Sequence, residues 1–172
     1  MKEAIMYTIP ALIVLAATWI VMHKLLKSEE QKRLWELKKA SQKEISQVRM
    51  RAYERLAILL ERTEPEHMLT NTDIVGKSIP DLQQHLLRTV RLEFDHNMSQ
   101  QIYVSDELWD KITAARDQIA AFITSVAMQL PPESSTLDYA KAMITAYRNN
   151  GTTPHQAAME ALKNEARMLL DN

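Results

Sequence analysis

Residues 105–132 read SDELWDKITAARDQIAAFITSVAMQLPP, and this stretch decides the fold class. Ser105-Asp-Glu is a start signal, a capping side chain followed by acids at the positive end of a helix. Leu108, Ile112, Ala115, Ile119, Phe122, Ile123 and Val126 then recur at steps of three and four, and Pro131-Pro132 stops the run. An apolar stripe this long is helical; a strand would alternate and end sooner. It needs cover, and no alternating pattern elsewhere offers a sheet to supply it. The chain is therefore expected to be all-α.

Working towards the C-terminus, Ser134 or Ser135 opens a shorter helix carrying Leu137, Ala140, Met143, Ile144 and Tyr147, closed by Asn149-Asn-Gly. Thr153-Pro-His-Gln156 combines an N-cap, a first-turn proline and a Gln three residues on. Ala157, Ala161, Leu162 and the Met168–Leu170 group are the expected buried face of that last helix. Short loops between these three helices predict neighbouring, roughly antiparallel packing.

Working towards the N-terminus, Ser78, Pro80 and Asp81 form another start, and Leu82, Leu86, Val90 and Phe94 give its helix a core face that fades near Asn97 or Ser99. Glu66 to Ile79 has weak periodicity and reads as a loop with one short turn at most. Pro65 ends or redirects the helix before it. That earlier helix carries Leu34, Leu37, Ser41, Ile45, Val48, Ala52, Leu56 and Leu59 on one stripe and ends near Arg62. About 35 helical residues reach roughly 52 Å. A strict a/d reading meets Lys38 and Arg55, so the stripe predicts packing on the body or on a partner helix, a coiled-coil homo-oligomer being one form.

The N-terminus differs in kind. Ala4 to Met22, AIMYTIPALIVLAATWIVM, is uncharged over nineteen residues, roughly 28 Å of helix, which approaches the thickness of a thin bilayer. Tyr7 and Trp19 lie near its ends and Lys24 and Lys27 follow it, the arrangement expected where a span meets headgroups. A cleaved signal peptide fits less well: Glu3 offsets Lys2, and the run continues past Ala16 and Ala17. A core helix would need protein around every face. The positive-inside rule then predicts a single-pass protein of the cell inner membrane, N-terminus outside and the rest cytoplasmic. The organisation expected is a transmembrane anchor over 1–23, a long basic amphipathic juxtamembrane helix over 24–62, and a compact cytoplasmic bundle of about four further helices over 63–172.

Charge supports that division. Lys24 to Arg55 holds ten Lys/Arg against five Glu, and Leu56 to Asn172 ten against sixteen Asp/Glu. A basic helix beside a bilayer meets anionic lipid. Nucleic acid is not expected as a partner, because acids interrupt the basic run and no aromatic ladder accompanies it. Zero Cys removes disulfides, thiolate metal sites and cysteine nucleophiles, and two Gly argue against a turn-rich β fold.

The densest polar cluster is Glu93-Phe-Asp-His-Asn-Met-Ser-Gln-Gln-Ile-Tyr103. Glu93, His96, Asn97 and Gln100 share a helical face, while Phe94 belongs to the core face. Glu64 and His67 repeat the Glu-x-x-His spacing of Glu93 and His96. Two such pairs would suit a di-metal bundle only with two more Glu projecting inward, and none is evident. There is no phosphate loop, serine elbow or zinc-protease pattern. No catalytic residue, cofactor or metal is therefore expected. Glu93, His96, Asn97, Gln100, Gln101, Tyr103 and Trp109 read as a structural or interface set around an irregular connection. Trp35, beside Leu34 and Leu37, reads as support for a helix or interfacial contact.

Two of these stretches also carry a resemblance: Tyr53-Glu-Arg-Leu-Ala-Ile-Leu-Leu-Glu-Arg62, and Glu93 through Trp109. There the chain resembles an uncharacterised family of short single-pass proteins from Bacteroidetes bacteria. The resemblance implies an anchor followed by a helical cytoplasmic region and implies no activity. The function expected is a membrane-tethered protein-interaction or scaffold module, its partners the lipid bilayer and another protein. The alternatives are a membrane-linked signalling adaptor and a metal-dependent helical enzyme.

Overall fold

The structure, a computed structural model, describes residues 2–149, 151 and 153–170, the side chains of residues 2–14, 16 and 17 excepted. The regular structure of its described residues is all helical: α1 Lys2–Arg62, α2 Pro65–Thr70, α3 Ile79–Asn97, a 3₁₀ segment Met98–Tyr103, α4 Asp106–Gln129, α5 Thr136–Asn149 and α6 Pro154–Leu170. The chain divides into two compact units, Met1–Ile45 and Ser46–Asn172. The last turns of α1 therefore belong to the second unit, the body.

The described residues of the first unit all belong to α1. α1 runs unbroken through Ser28. Leu34, Leu37 and Ile45 stand 56, 67 and 57% exposed. Trp35 is exposed, with the Lys39 ammonium 5.0 Å from its ring centre. Trp19 is also exposed and stacks on His23. Among the described residues no helix is long and apolar enough to cross a membrane, so the expected transmembrane helix finds no support there. Most side chains of Ala4–Met22, Tyr7 included, lie outside the described residues.

The body is built on α4, which packs against α3, α5 and α6. Leu108, Ile112, Ala115, Ile119, Ile123 and Val126 are buried as expected, with Phe122 half-buried beside them. Leu82, Leu86, Val90 and Phe94 cover one side. Ala52, Tyr53, Leu56, Leu59 and Leu60 bring the end of α1 into the same core. Burying a Leu side chain contributes on the order of 2 kcal/mol, so these aliphatic rows hold the bundle together.

The caps fall where side-chain chemistry places them. Ser78 and Asp81 form a reciprocal capping box at α3. Thr153 and Gln156 do the same at α6, and Ser135 with Asp138 at α5. Ser105 accepts from the Leu108 N–H at α4. Leu130 is extended, ψ 145°, as the residue before Pro131 tends to be, and α4 ends there.

Three expectations need correction. The segment after Pro65 is not simply loop: Glu64 is extended, and the proline takes the first position of the short helix α2. A proline that ends one helix is equally suited to begin the next. The body thus has five α-helices after α1 where about four were expected. Gly76, at φ +73°, makes the turn towards α3 in a backbone conformation that a side chain would strain.

The second and third corrections concern register. On α6 the buried positions are His155, Ala158 and Leu162, whereas Ala157, Met168 and Leu170 are exposed. Leu162 is buried and Ala161 and Leu169 half-buried as expected, while alanines at 157 and 158 carry too little apolar area to show that 158, not 157, faces the core. On α5, Leu137 is half-exposed and Tyr139 is fully buried. Its hydroxyl donates to the Ile123 carbonyl at 2.7 Å, which lets a tyrosine occupy the core. Burial pushes that hydroxyl's pKa up to about 12.

Candidate functional site

The Glu93–Trp109 stretch is divided between core and surface. Asn97 and Gln100 are buried, at 5 and 6% exposure, while His96 and Gln101 face outward. Asn97 continues the buried row of α3, three residues after Phe94, and the 3₁₀ winding that starts at Met98 then brings Gln100 almost directly over it. The Asn97 side chain donates to the Glu93 carbonyl at 2.8 Å, and Gln100 donates to the Ser99 hydroxyl at 3.1 Å. Glu93 pairs with Arg62 at 3.4 Å, and His96 lies 3.4 Å from the Arg55 guanidinium. Trp109 is half-buried against the core. These residues join the connection to α1 and to themselves; they do not converge on one point.

A convergent point lies next to it. The Arg49 guanidinium donates to the Tyr103 carbonyl at 2.9 Å, to the Tyr53 hydroxyl at 2.7 Å and to the Glu165 carboxylate at 3.0 Å. The same Glu165 oxygen accepts from the Tyr53 hydroxyl and the Ser105 N–H, each at 3.0 Å. Its other oxygen accepts from the Ser105 hydroxyl. One carboxylate from α6 thus caps the N-terminus of α4 and ties it to α1. Glu165 occupies the positive end of the α4 dipole and is neutralised by Arg49.

That geometry suits a clamp better than a reaction. Both Glu165 oxygens are occupied by donors, leaving the carboxylate poorly placed to take a proton from a substrate. Burial, with the carboxylate beside it, pushes the Tyr53 hydroxyl up to about 12, far from a neutral-pH acid or base. Among the described residues, no three His, Asp or Glu are grouped to hold a metal. Glu64 and His67 lie at the start of α2, distant in sequence from Glu93 and His96, and make no such group with them.

The Glu165 clamp escaped the sequence reading, although a signal for it existed. Glu165 follows Leu162 by three residues, so it continues the buried side of α6, where a carboxylate requires a partner. Arg49 and Tyr53 are spaced by four and share a face of α1. Nothing in local spacing connects them to residue 165.

A second polar contact, this one buried, links the residue after α1 to α6. Thr63 and His155 are both buried, with the Thr63 hydroxyl oxygen 3.0 Å from His155 Nε2. Desolvation lowers the His155 pKa to about 4, so the ring is neutral at pH 7.

The family match covers nearly the whole of this architecture. The chain belongs to DUF7935, a family of unknown function, whose family model matches residues 1–169. That agrees with the resemblance to an uncharacterised family; the match carries neither an anchor nor a Bacteroidetes origin. No curated protein and no solved structure matches the chain significantly.

Proposed function

We propose that the protein is a membrane-tethered interaction or scaffold module, held at the inner membrane by its N-terminal run with its helical body in the cytoplasm. The observation that carries this reading is the sequence of α1 itself: nineteen uncharged residues, then ten Lys/Arg against five Glu up to Arg55. Such an order favours insertion of the first part and attraction of the second to an anionic leaflet. The exposed Leu34, Leu37 and Ile45 support a role in contacting another protein. A clamp built from saturated hydrogen bonds supports a body that displays surfaces.

Cell fractionation with protease added from each side of the inner membrane tests the placement. The body should remain with membranes and be digested only once the cytoplasmic face is opened. Recovery in the soluble fraction, or digestion from the periplasmic side, would contradict it. Crosslinking in native membranes, with Leu37→Asp as the control, tests the contact. Partner recovery should fall in the variant, and a reproducible regulatory partner would specialise the module as a signalling adaptor.

A further inference from the structure

A cleft of about 300 Å³ lies in the body between α4, α5 and the start of α6. Ile119 and Phe122 supply apolar wall, and Gln118, Tyr147, Thr153 and His155 are among the other residues that line it. This volume lies at the small end of the range for ligand pockets.

Two polar atoms in these walls, the Tyr147 hydroxyl and His155 Nδ1, are buried without a hydrogen-bond partner among the described residues. Tyr147 lies beside Thr153, but no well-formed hydrogen bond joins the two hydroxyls. Buried polar groups are nearly always satisfied, so two in one wall call for an explanation.

The tautomer of His155 says what each atom offers. Thr63 has one hydroxyl hydrogen, and it points to the Leu59 carbonyl at 2.8 Å. Thr63 can then only accept from His155, so the hydrogen of the neutral ring sits on Nε2. Nδ1 keeps a bare lone pair. The Tyr147 and His155 rings stand 6.3 Å apart at 77°. One wall of the cleft therefore carries an acceptor and a hydroxyl free to donate.

We propose that this cleft binds a small, neutral, planar molecule whose edge sets an N–H beside a carbonyl, a carboxamide being the simplest case. Its apolar body lies against Ile119 and Phe122, its N–H meets His155 Nδ1, and its carbonyl accepts from Tyr147. A carboxylate is disfavoured, since no cationic side chain among the described residues lines the cleft and an anion would face the Nδ1 lone pair. Both wall atoms are closed to bulk water, so engagement requires a short swing of the Tyr147 ring. Satisfying two unpaired groups at once favours that swing.

Benzamide is the probe, titrated into the full chain in detergent micelles, with benzoate and toluene as comparators. Saturation-transfer NMR reports binding, and the ¹⁵N shift of His155 reports the contact. Benzamide should bind in the millimolar range or tighter and move the Nδ1 resonance, and benzoate should not. Tyr147→Phe removes only the unpaired hydroxyl, so its melting temperature should hold or rise. Benzamide should bind that variant about fivefold more weakly, as loss of one neutral hydrogen bond predicts, with toluene unchanged. Absence of benzamide binding, equal affinity in wild type and Tyr147→Phe, or a single ordered water satisfying both atoms in a high-resolution structure would overturn the proposal.

Discussion

One stripe on one helix has two fates. Leu34, Leu37 and Ile45 are more than half exposed, whereas Ala52, Leu56 and Leu59, in the same register, are at most 1% exposed. The residues differ little in chemistry. What differs is the presence of α4 and its neighbours around the second set. Periodicity therefore identifies which face of a helix seeks cover, and says nothing of whether the chain itself provides it.

The contrast predicts unequal responses to the same kind of substitution. Leu56→Ala should destabilise the body by about 3 kcal/mol, the transfer loss plus a cavity in a packed core. Chemical denaturation followed by circular dichroism measures it, and a change below about 1 kcal/mol would remove Leu56 from the core.

Acid should strain the body next, through His155. Its folded pKa, about 4, lies below the ordinary value of 6.5, so between those values the unfolded chain binds the extra proton. The contribution is fully present above pH 6.5 and is lost as pH falls towards 4, by about 3 kcal/mol at most. His155→Asn should flatten this part of the stability profile relative to wild type. An unchanged slope would place the titration elsewhere.

Glu165→Gln comes third. It removes the charge that joins Arg49, Tyr53 and Ser105 while keeping the side chain's shape, and should cost about 2 kcal/mol, since hydrogen bonds to charged groups are the stronger ones. Urea melts of the variant and of Glu165→Gln with Arg49→Gln should show the double loss to be smaller than the sum of the singles. Additive losses would mean that the two residues act apart.

Leu37→Ala is the smallest, within about 0.5 kcal/mol, because an exposed side chain loses no packing. A loss as large as that of Leu56→Ala would show that the upper stripe is covered after all.

The comparison also explains how much was legible from sequence. Caps at Ser78, Ser105 and Thr153 depend on neighbours within three or four residues, and were readable. The core rows of α3 and α4 were readable because Leu, Ile, Val and Phe mark a face strongly. α6 was misread by one residue because alanines mark it weakly, and Tyr139 was missed because its burial depends on a carbonyl sixteen residues away. The polar set was legible only as a cluster. Asn97 follows the Val90 and Phe94 row, whereas the inward turn of Gln100 depends on the 3₁₀ winding from Met98, and the meeting of Arg49 with Glu165 depends on how three helices pack. The contact between Arg49 and Glu165 is a tertiary fact with no local signature.

The central claim is that residues 1–45 tether a body that folds without them. Flotation of the full chain and of residues 46–172 with anionic vesicles, alongside a thermal melt of each, tests it most directly. The account predicts that the full chain floats, that 46–172 remains at the bottom, and that the two unfold cooperatively at similar temperatures. Equal flotation of both chains, or a shortened chain that shows no cooperative melt, would contradict it.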